Sequence, residues 1–453
     1  MSPPSADLTV AEARAALKAV EKDAVQLEMF STDYEGDKVL KPIGERRRRV
    51  RGGEPDPVST VSLVLHDGVL LWREGGSAIP AGGSRKRGLA PVTEGDLVEF
   101  YQFETLAPNE VQHFLDRLDQ KLNPKHGLFP LRLAGGGGAP VASIDPNAVV
   151  PKGKKRRLLL VHGTFSSGDA YVDGFARCRP GGGDFLKRAF AHYDEILSFE
   201  HPTLGVSPLL NAFDLDRLMA SAEGPLDVVA HSRGGLVARW FLEGFGGPPG
   251  GDARQGVLVG SPLGGTSLAS PPRLKDALGL ISNFGTALKV AGAAASAFTP
   301  LLVAPLALLR IATSVARIGA KTPLLDAAVA MIPGLAGQSR VAGNPEIVRL
   351  RSLALGTAPT YSVVRSNFET ERAGWKFWQW FRADKLKDVG ADKIFPADND
   401  LVVDTSSMIE LAGTPSLPKR RVCDFGTSDV VHHTNYFEQE KTLQFILKQF
   451  GVP

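Results

Sequence analysis

The residues able to do chemistry gather in the second half of the chain. Ser232 stands in Ala230-His231-Ser232-Arg233-Gly234-Gly235, directly after the run Leu226-Asp227-Val228-Val229. A serine hydroxyl is a poor nucleophile at neutral pH and needs a base. The base in turn needs an acid to fix its tautomer and stabilise the imidazolium. Of the 9 histidines, only His432 and His433 lie C-terminal to Ser232. His433 is preferred as the base because Thr434-Asn435 then supplies a helix start behind it, and His432 is the alternative. Asp398, Asp400 and Asp404 are the candidate acids. Asp400 is preferred, because it precedes the apolar Leu401-Val402-Val403 in a sharp loop. His231 is set aside as a base, since a serine at such a turn projects its neighbour away from the hydroxyl.

The chemistry of such a set is acyl transfer, whose transition state carries an oxyanion. Backbone N–H donors must already point at it. Arg233, the residue after the serine, is expected to give one. Thr164, in Val161-His162-Gly163-Thr164, is expected to give the other, with Gly163 permitting a tight turn and His162 structural. The serine itself needs a sharp strand-to-helix turn that exposes its hydroxyl. Ala230 and Gly234, two residues before and two after it, keep that turn uncrowded, and Gly235 lets the helix start lie close to the sheet. The helix N-terminus favours negative charge near the serine.

These residues must be positioned by a sheet. Leu158-Leu159-Leu160-Val161, Glu195 to Phe199, Leu226 to Ala230 and Gln255 to Gly260 read as buried parallel strands, each a short apolar run bounded by turn signals. Helical segments around Phe185 to Tyr193 and Ser207 to Ala222 alternate with them, which indicates right-handed crossovers. Thr360 to Arg365 and Arg421 to Phe425 continue the strand pattern, and a C-terminal helix follows His433. Between them, Leu278 to about Gly337 is apolar and Ala-rich, with no charge between Lys289 and Arg310. That uncharged run is long enough for a membrane span, but Pro300, Pro305 and the small alanines favour a packed helical hairpin.

The N-terminal part has another texture. Thr9 to Phe30 reads as an amphipathic helix with no apolar h-region, so no secretory signal is expected. Val58 to Trp72 reads as a hairpin turning at Asp67-Gly68, Leu97 to Phe103 and Phe129 to Leu133 as strands, and Pro108 to Leu122 as a helix with Val111, Phe114, Leu115 and Leu118 on one face. This small α+β module carries no catalytic constellation. Gly135 to Gly138 and the Pro-containing stretch to Pro151 read as a linker, giving an N-terminal module over 1–150 and a second domain over 151–453. The chain has 453 residues, 52 Lys and Arg against 49 Asp and Glu, and a net charge of +3, so nothing points to nucleic acid, and the basic run near Arg46 reads as a solvated face. Cys178 and Cys423 exclude a disulfide scaffold; they suit free thiols in a reducing, cytoplasmic setting, with a single bridge as the alternative.

Taken together, five stretches resemble the esterases and lipases of the α/β-hydrolase superfamily, in particular a bacterial lipase-like branch with an HGx oxyanion loop. They are Val161-His162-Gly163-Thr164, Ala230 to Gly235, Gly260-Ser261-Pro262-x-Gly264-Gly265-Thr266, Asn399-Asp400-x-Val402-Val403 and His433-Thr434-Asn435-Tyr436-Phe437. The chain departs at Ala230, where a glycine is commoner. The order Ser232, Asp400, His433 is the order of that superfamily. The resemblance covers about Arg156 to the C-terminus. It implies a mostly parallel α/β-hydrolase sheet with a helical cap insertion at about 267–345, no metal and no cofactor. It implies hydrolysis of carboxylic, lipid-like esters through an acyl-enzyme, with transient membrane-surface contact through the cap. The cluster Trp375, Phe377, Trp378, Trp380 and Phe381 either rims the pocket or packs in the core. An acyltransferase with the same triad, and a non-enzymatic assembly protein on a hydrolase scaffold, are the other readings of these residues.

Overall fold

In a computed structural model of the chain, the described residues are 9–17, 58–66, 68–74, 96–104, 108–134, 140–249, 254–269, 274–290, 332–340, 344–353, 359–370, 377, 398–411 and 417–453. They fall into two compact units. One takes in Met1–Phe114, Pro271–Ala328 and Glu371–Ile394, the other Leu115–Ser270, Val329–Thr370 and Phe395–Pro453.

In the first unit, β1 (Val58–His66), β2 (Val69–Glu74) and β3 (Asp96–Glu104) form an antiparallel sheet in the order β2-β1-β3. Gly68 turns the β1–β2 hairpin at φ +78°, which glycine adopts without strain. The start of the apolar insertion, the helix Leu274–Val290, packs on β2. Asn283 takes the Leu70 N–H at 2.8 Å and returns its own N–H to the Leu70 carbonyl at 2.7 Å. The Trp72 indole donates to Ser282 Oγ at 2.9 Å. These bonds satisfy buried polar atoms and fix which face of the helix meets the sheet. The apolar stretch at 291–331, the basic run near Arg46, Gly135 to Gly138 and all of the aromatic cluster but Phe377 lie outside the described residues. Among the described residues no helix is long and apolar enough to cross a membrane.

The second unit is an α/β fold around an eight-stranded, mostly parallel sheet. Its strands are β4 (Gly127–Ala134), β5 (Val141–Ile144), β7 (Arg157–Val161), β8 (Glu195–Glu200), β10 (Leu226–His231), β11 (Arg254–Val259), β12 (Thr360–Phe368) and β13 (Val422–Ser428). Their order is β13-β12-β11-β10-β7-β8-β4-β5, and β4 runs antiparallel to both of its neighbours. The short β6 (Gly153–Lys154) and β9 (Ala222–Glu223) pair separately. Phe129 to Leu133 thus belongs to the large sheet, Phe129 and Pro130 pairing with β8 and Leu131 to Leu133 with β5, and Val141–Ile144, read above as linker, is its edge strand. Only Ala142 of that four-residue strand is buried, so it offers little apolar pattern between Pro140 and Pro146.

The central strands carry unbroken apolar runs, such as Leu158–Val161 and Val228–Ala230, because both faces of the sheet are covered. Leu159 and Val161 join one core with Ala212, Leu215, Leu236 and Val237 from the helices Pro208–Met219 and Gly234–Arg239. Leu158 and Leu160 join the other with Tyr171, Phe185, Leu443 and Ile446 from the helices Asp169–Arg177, Gly181–His192 and Glu440–Gln449. Burying one such leucine is worth about 2 kcal/mol. The strands therefore stack firmly, and the loops leaving their C-terminal ends are held in register.

Candidate active site

Ser232 follows β10 and precedes the helix Gly234–Arg239, with φ at +53°. A non-glycine residue holds that conformation only where its surroundings impose it. Here the Ser232 N–H donates to the Val259 carbonyl at 2.9 Å and its carbonyl accepts from Gly235 N–H at 2.9 Å. A Cβ on Gly234 would collide with the Val161 carbonyl, and one on Gly235 with Ser261, so both must be bare. Ala230 is fully buried between Val161 and Leu258. A Cβ on Gly163 would stand 2.6 Å from the Ser232 Cβ, so the Gly163 backbone lies directly against the serine. Two other non-glycine residues have positive φ among the described ones, Phe165 at +54° and Leu401 at +92°. They follow Thr164 and Asp400, so the strain gathers around one point.

His433 Nε2 lies 2.9 Å from Ser232 Oγ, and His433 Nδ1 lies 2.8 Å from Asp400 Oδ2. The His433 N–H also donates to the Asp400 carbonyl at 3.0 Å, which fixes the two loops to one another. Asp400 is fully buried, and all its acceptor capacity is used. Oδ1 takes the N–H groups of Val402 at 3.1 Å and Val403 at 2.9 Å, while Oδ2 takes the Tyr436 hydroxyl at 2.9 Å beside His433. A buried carboxylate is tolerable only when so paired. Burial and the Asp400 charge hold the Tyr436 phenol well above its ordinary pKa, so it stays a neutral donor. A hydroxyl, an imidazole and a carboxylate in one hydrogen-bonded line can pass a proton from Oγ to Nε2.

The other candidates stand elsewhere. Asp404 binds Ser267 through its N–H at 3.3 Å and hydroxyl at 3.0 Å, and pairs with Arg340 at 3.4 Å. Asp398 is exposed, and its carbonyl accepts from Thr405 N–H at 2.8 Å. His432 is buried, pushed down to about 3 by that burial, and meets Thr434 Oγ1 at 3.2 Å. The helix start expected at Thr434-Asn435 is instead a single 3-10 turn at Tyr436–Glu438, and the C-terminal helix begins at Glu440. Asn435 turns back to accept the His432 N–H at 2.9 Å.

His231 points away from the hydroxyl and packs against the base. Its Nε2 lies 2.8 Å from the His433 carbonyl, and burial pushes its pKa down to about 3, so it donates there as a neutral ring. This contact, Tyr436 and the Ser366 hydroxyl 2.8 Å from Tyr436 are the parts that reading the sequence missed. Tyr436 sits three residues after the base, and that spacing was the available signal.

Thr164 follows Gly163, whose backbone lies against Ser232, and Arg233 follows Ser232 itself. Neither backbone N–H bonds to another described residue. The Thr164 hydroxyl accepts from Gln338 at 2.9 Å. The Arg233 side chain is wholly buried and donates to the Val206 carbonyl at 2.5 Å and Asn211 Oδ1 at 2.7 Å. Burial lowers its pKa to about 10, which leaves it charged at neutral pH. His162 stacks on His201 at 4.1 Å, and burial pushes both below the ordinary histidine value. Both serve as packing beneath the loop. Glu200 holds that loop from below, accepting the Gly168 N–H at 3.0 Å and an Asn123 amide N–H at 2.9 Å. Among the described residues no cluster of His, Cys, Asp or Glu is arranged to hold a metal ion.

Comparison with known proteins adds the following. The model of a family described as "Domain of unknown function (DUF7379)" matches residues 139–451. No curated protein matches the chain. Among solved structures, the chain is similar to the Bacillus licheniformis lipase BlEst2 in mature form, at 14% identity and a TM-score of 0.34, over 66% of this chain and 93% of that one. It is similar to lipase 1 from Pelosinus fermentans at 12% identity and a TM-score of 0.39, over 66% and 99%. It is also similar to a thermophilic esterase from Thermogutta terrifontis at 13% identity and a TM-score of 0.34, over 71% and 98%.

Proposed function

This chain belongs to the family of domain of unknown function DUF7379, and from its site we propose that it is a serine hydrolase cleaving carboxylic esters. The observation that carries the reading is the line Asp400 Oδ2, His433 Nδ1, His433 Nε2, Ser232 Oγ, with steps of 2.8 and 2.9 Å, at a serine held at φ +53° between strand and helix.

In this reading Ser232 Oγ attacks the ester carbonyl carbon while its proton passes to His433 Nε2. Asp400 stabilises the imidazolium that forms. The carbonyl oxygen becomes an oxyanion and takes the free N–H groups of Thr164 and Arg233. The bond to the alcohol oxygen then breaks as His433 returns the proton to it, leaving an acyl-enzyme on Ser232. Water attacks that ester, giving its proton to His433. Ser232 Oγ leaves and recovers the proton, and the carboxylic acid departs. His231 and His432 stay neutral across the physiological range, so neither competes as a base.

The acyl group is proposed to be apolar, on the strength of the apolar composition of Leu278 to Leu335. The free thiols Cys178 and Cys423 suit work in a reducing cytoplasm. The test is labelling of Ser232 by a fluorophosphonate together with hydrolysis of p-nitrophenyl esters of rising acyl length. Ser232→Ala is expected to abolish labelling and to lower kcat by about 10⁴-fold or more. A variant that keeps a tenth of the wild-type rate would falsify the assignment.

A further inference from the structure

Two loops reach the oxyanion side of Ser232, and both are tied to the same short segment, residues 203–206, which follows β8. Thr203 Oγ1 accepts the N–H of Phe165, the strained residue after Thr164, at 3.3 Å. The Val206 carbonyl accepts from the buried Arg233 guanidinium at 2.5 Å. The segment is itself held by one carboxylate. Asp119, in the helix Pro108–Leu122, accepts the N–H groups of Thr203 at 2.8 Å and Leu204 at 3.0 Å on Oδ1. On Oδ2 it accepts Leu204 again at 3.0 Å and Gly205 at 2.7 Å. The Thr203 hydroxyl donates to Oδ1 at 3.3 Å, so a relay runs from Phe165 N–H through Thr203 to Asp119. Asp119 is 2% exposed, so no solvent stands in for those bonds.

We infer that Asp119 is a positioning residue for the oxyanion donors of the reaction proposed above, on which this inference rests. The carboxylate lies outside residues 139–451, the part that the family model matches. Its two oxygens gather three consecutive N–H groups, a task no neutral side chain with one acceptor oxygen can do. With the segment fixed, Thr203 sets the peptide after Thr164, and Val206 sets the side chain of Arg233, whose backbone N–H is the second donor. Asp119 touches neither substrate nor serine.

Asp119→Asn keeps the size and one acceptor oxygen but turns an amide N–H toward N–H groups that need an acceptor. The expected result, measured with a short p-nitrophenyl ester, is a fall in kcat of about a hundredfold at a KM within twofold of wild type. That is the scale of losing one oxyanion donor. The inhibition constant of a trifluoromethyl ketone, whose hemiketal oxyanion occupies the same donors, should rise by the same factor. Thr203→Val, which deletes only the relay, should lower kcat about tenfold and weaken the ketone in step, while Thr203→Ser stays near wild type. Should Asp119→Asn fail to fold, the Thr203 pair decides. Wild-type kcat and inhibition constant in Thr203→Val, with a lowered Tm, would make the network a fold anchor only and overturn the inference. So would a loss of kcat in either variant with ketone binding unchanged. Ser232→Ala keeps the two claims apart. If Ser232→Ala is dead while Asp119→Asn and Thr203→Val turn over normally, this inference alone fails. If the wild type neither hydrolyses nor labels, both fail.

Discussion

The two sides of Ser232 are built in opposite ways. On the base side each polar atom in the line is already bonded. Asp400 has four donors, and His433 is engaged through both ring nitrogens, its N–H and its carbonyl. On the side proposed for the oxyanion the N–H groups of Thr164 and Arg233 bond no other described residue, while the Thr164 hydroxyl, the Phe165 N–H and one nitrogen of the Arg233 guanidinium are bonded around them. The difference follows from what each side is proposed to do. A proton relay needs one fixed geometry throughout the reaction. An oxyanion exists only in the transition state, and a donor already committed to the protein would have to break a bond to serve it. Saturation on one side and uncommitted N–H groups on the other make a sharper signature than either loop alone.

Breaking the saturated side should give the largest effects. His433→Ala is expected to be as damaging as Ser232→Ala, about 10⁴-fold or more in kcat, because the serine then has no base. Asp400→Asn should fall short of that, since nucleophile and base remain, yet still cost about 10³-fold. Its amide N–H would face the N–H groups of Val402 and Val403 or the His433 ring. Asp404→Asn should turn over near the wild-type rate, because its carboxylate serves Ser267 and Arg340. Steady-state kinetics on one ester ranks all three. A severe Asp404→Asn beside a mild Asp400→Asn would move the acid and leave the reaction class standing.

That the ranking can be written from residue numbers reflects how the site is encoded. The elbow, the loop at Gly163 and the loop at Asp400 are local, since each needs small or polar residues at fixed offsets within one turn. The buried strands were legible for a related reason, because a sheet covered on both faces demands unbroken apolar runs. What was not legible is non-local. Nothing near Asp119 signals that its carboxylate meets Thr203, Leu204 and Gly205, more than eighty residues away in the chain. Tyr436 lay within a motif already singled out, but its bond to Asp400 depends on how two loops meet. Val141–Ile144 was missed because an edge strand with one buried residue carries almost no pattern. The helix start expected behind His433 was misjudged because Asn435 spends its side chain on His432.

Tyr436→Phe sharpens the comparison at intermediate size. The ring stays, and one donor to Asp400 Oδ2 goes, leaving His433 alone on that oxygen and the Ser366 hydroxyl without its partner. A hydrogen bond to a charged group is worth about 1.5–3 kcal/mol, so kcat should fall at least tenfold, with KM little changed because the tyrosine is buried behind the acid. An unchanged kcat would mean that saturation of Asp400 is incidental. Paired with Thr203→Val, this variant weighs one second-rank hydrogen bond on each side of the serine.

A small effect on turnover, and the clearest on stability, should come from His432. Burial pushes its pKa down to about 3 from an ordinary 6.5, so the folded chain keeps the ring neutral while the unfolded chain protonates it. Stability is therefore whole above about pH 6.5 and lost as pH falls toward 3, at about 1.4 kcal/mol per pH unit for each such group. His231 runs the same way, also from about 3. Asp227 opposes them. Burial pushes it up to about 6, so the folded chain holds a proton that the unfolded chain lacks, and stability rises as pH falls from 6 toward 3.8. In that window His231, His432 and the lowered His162 and His201 act against Asp227 and the carboxyls of Asp119 and Asp216, which burial also raises. Urea unfolding at pH 7 and pH 5 should show net loss of stability on acidification. His432→Gln should make the loss shallower while kcat at pH 7 stays within a few fold of wild type. Asp227→Asn should make it steeper, because an opposing group is gone. If His432→Gln leaves the slope unchanged, the ring already carries a proton in the folded chain, and its packing beside His433 would have to be read as that of a cation.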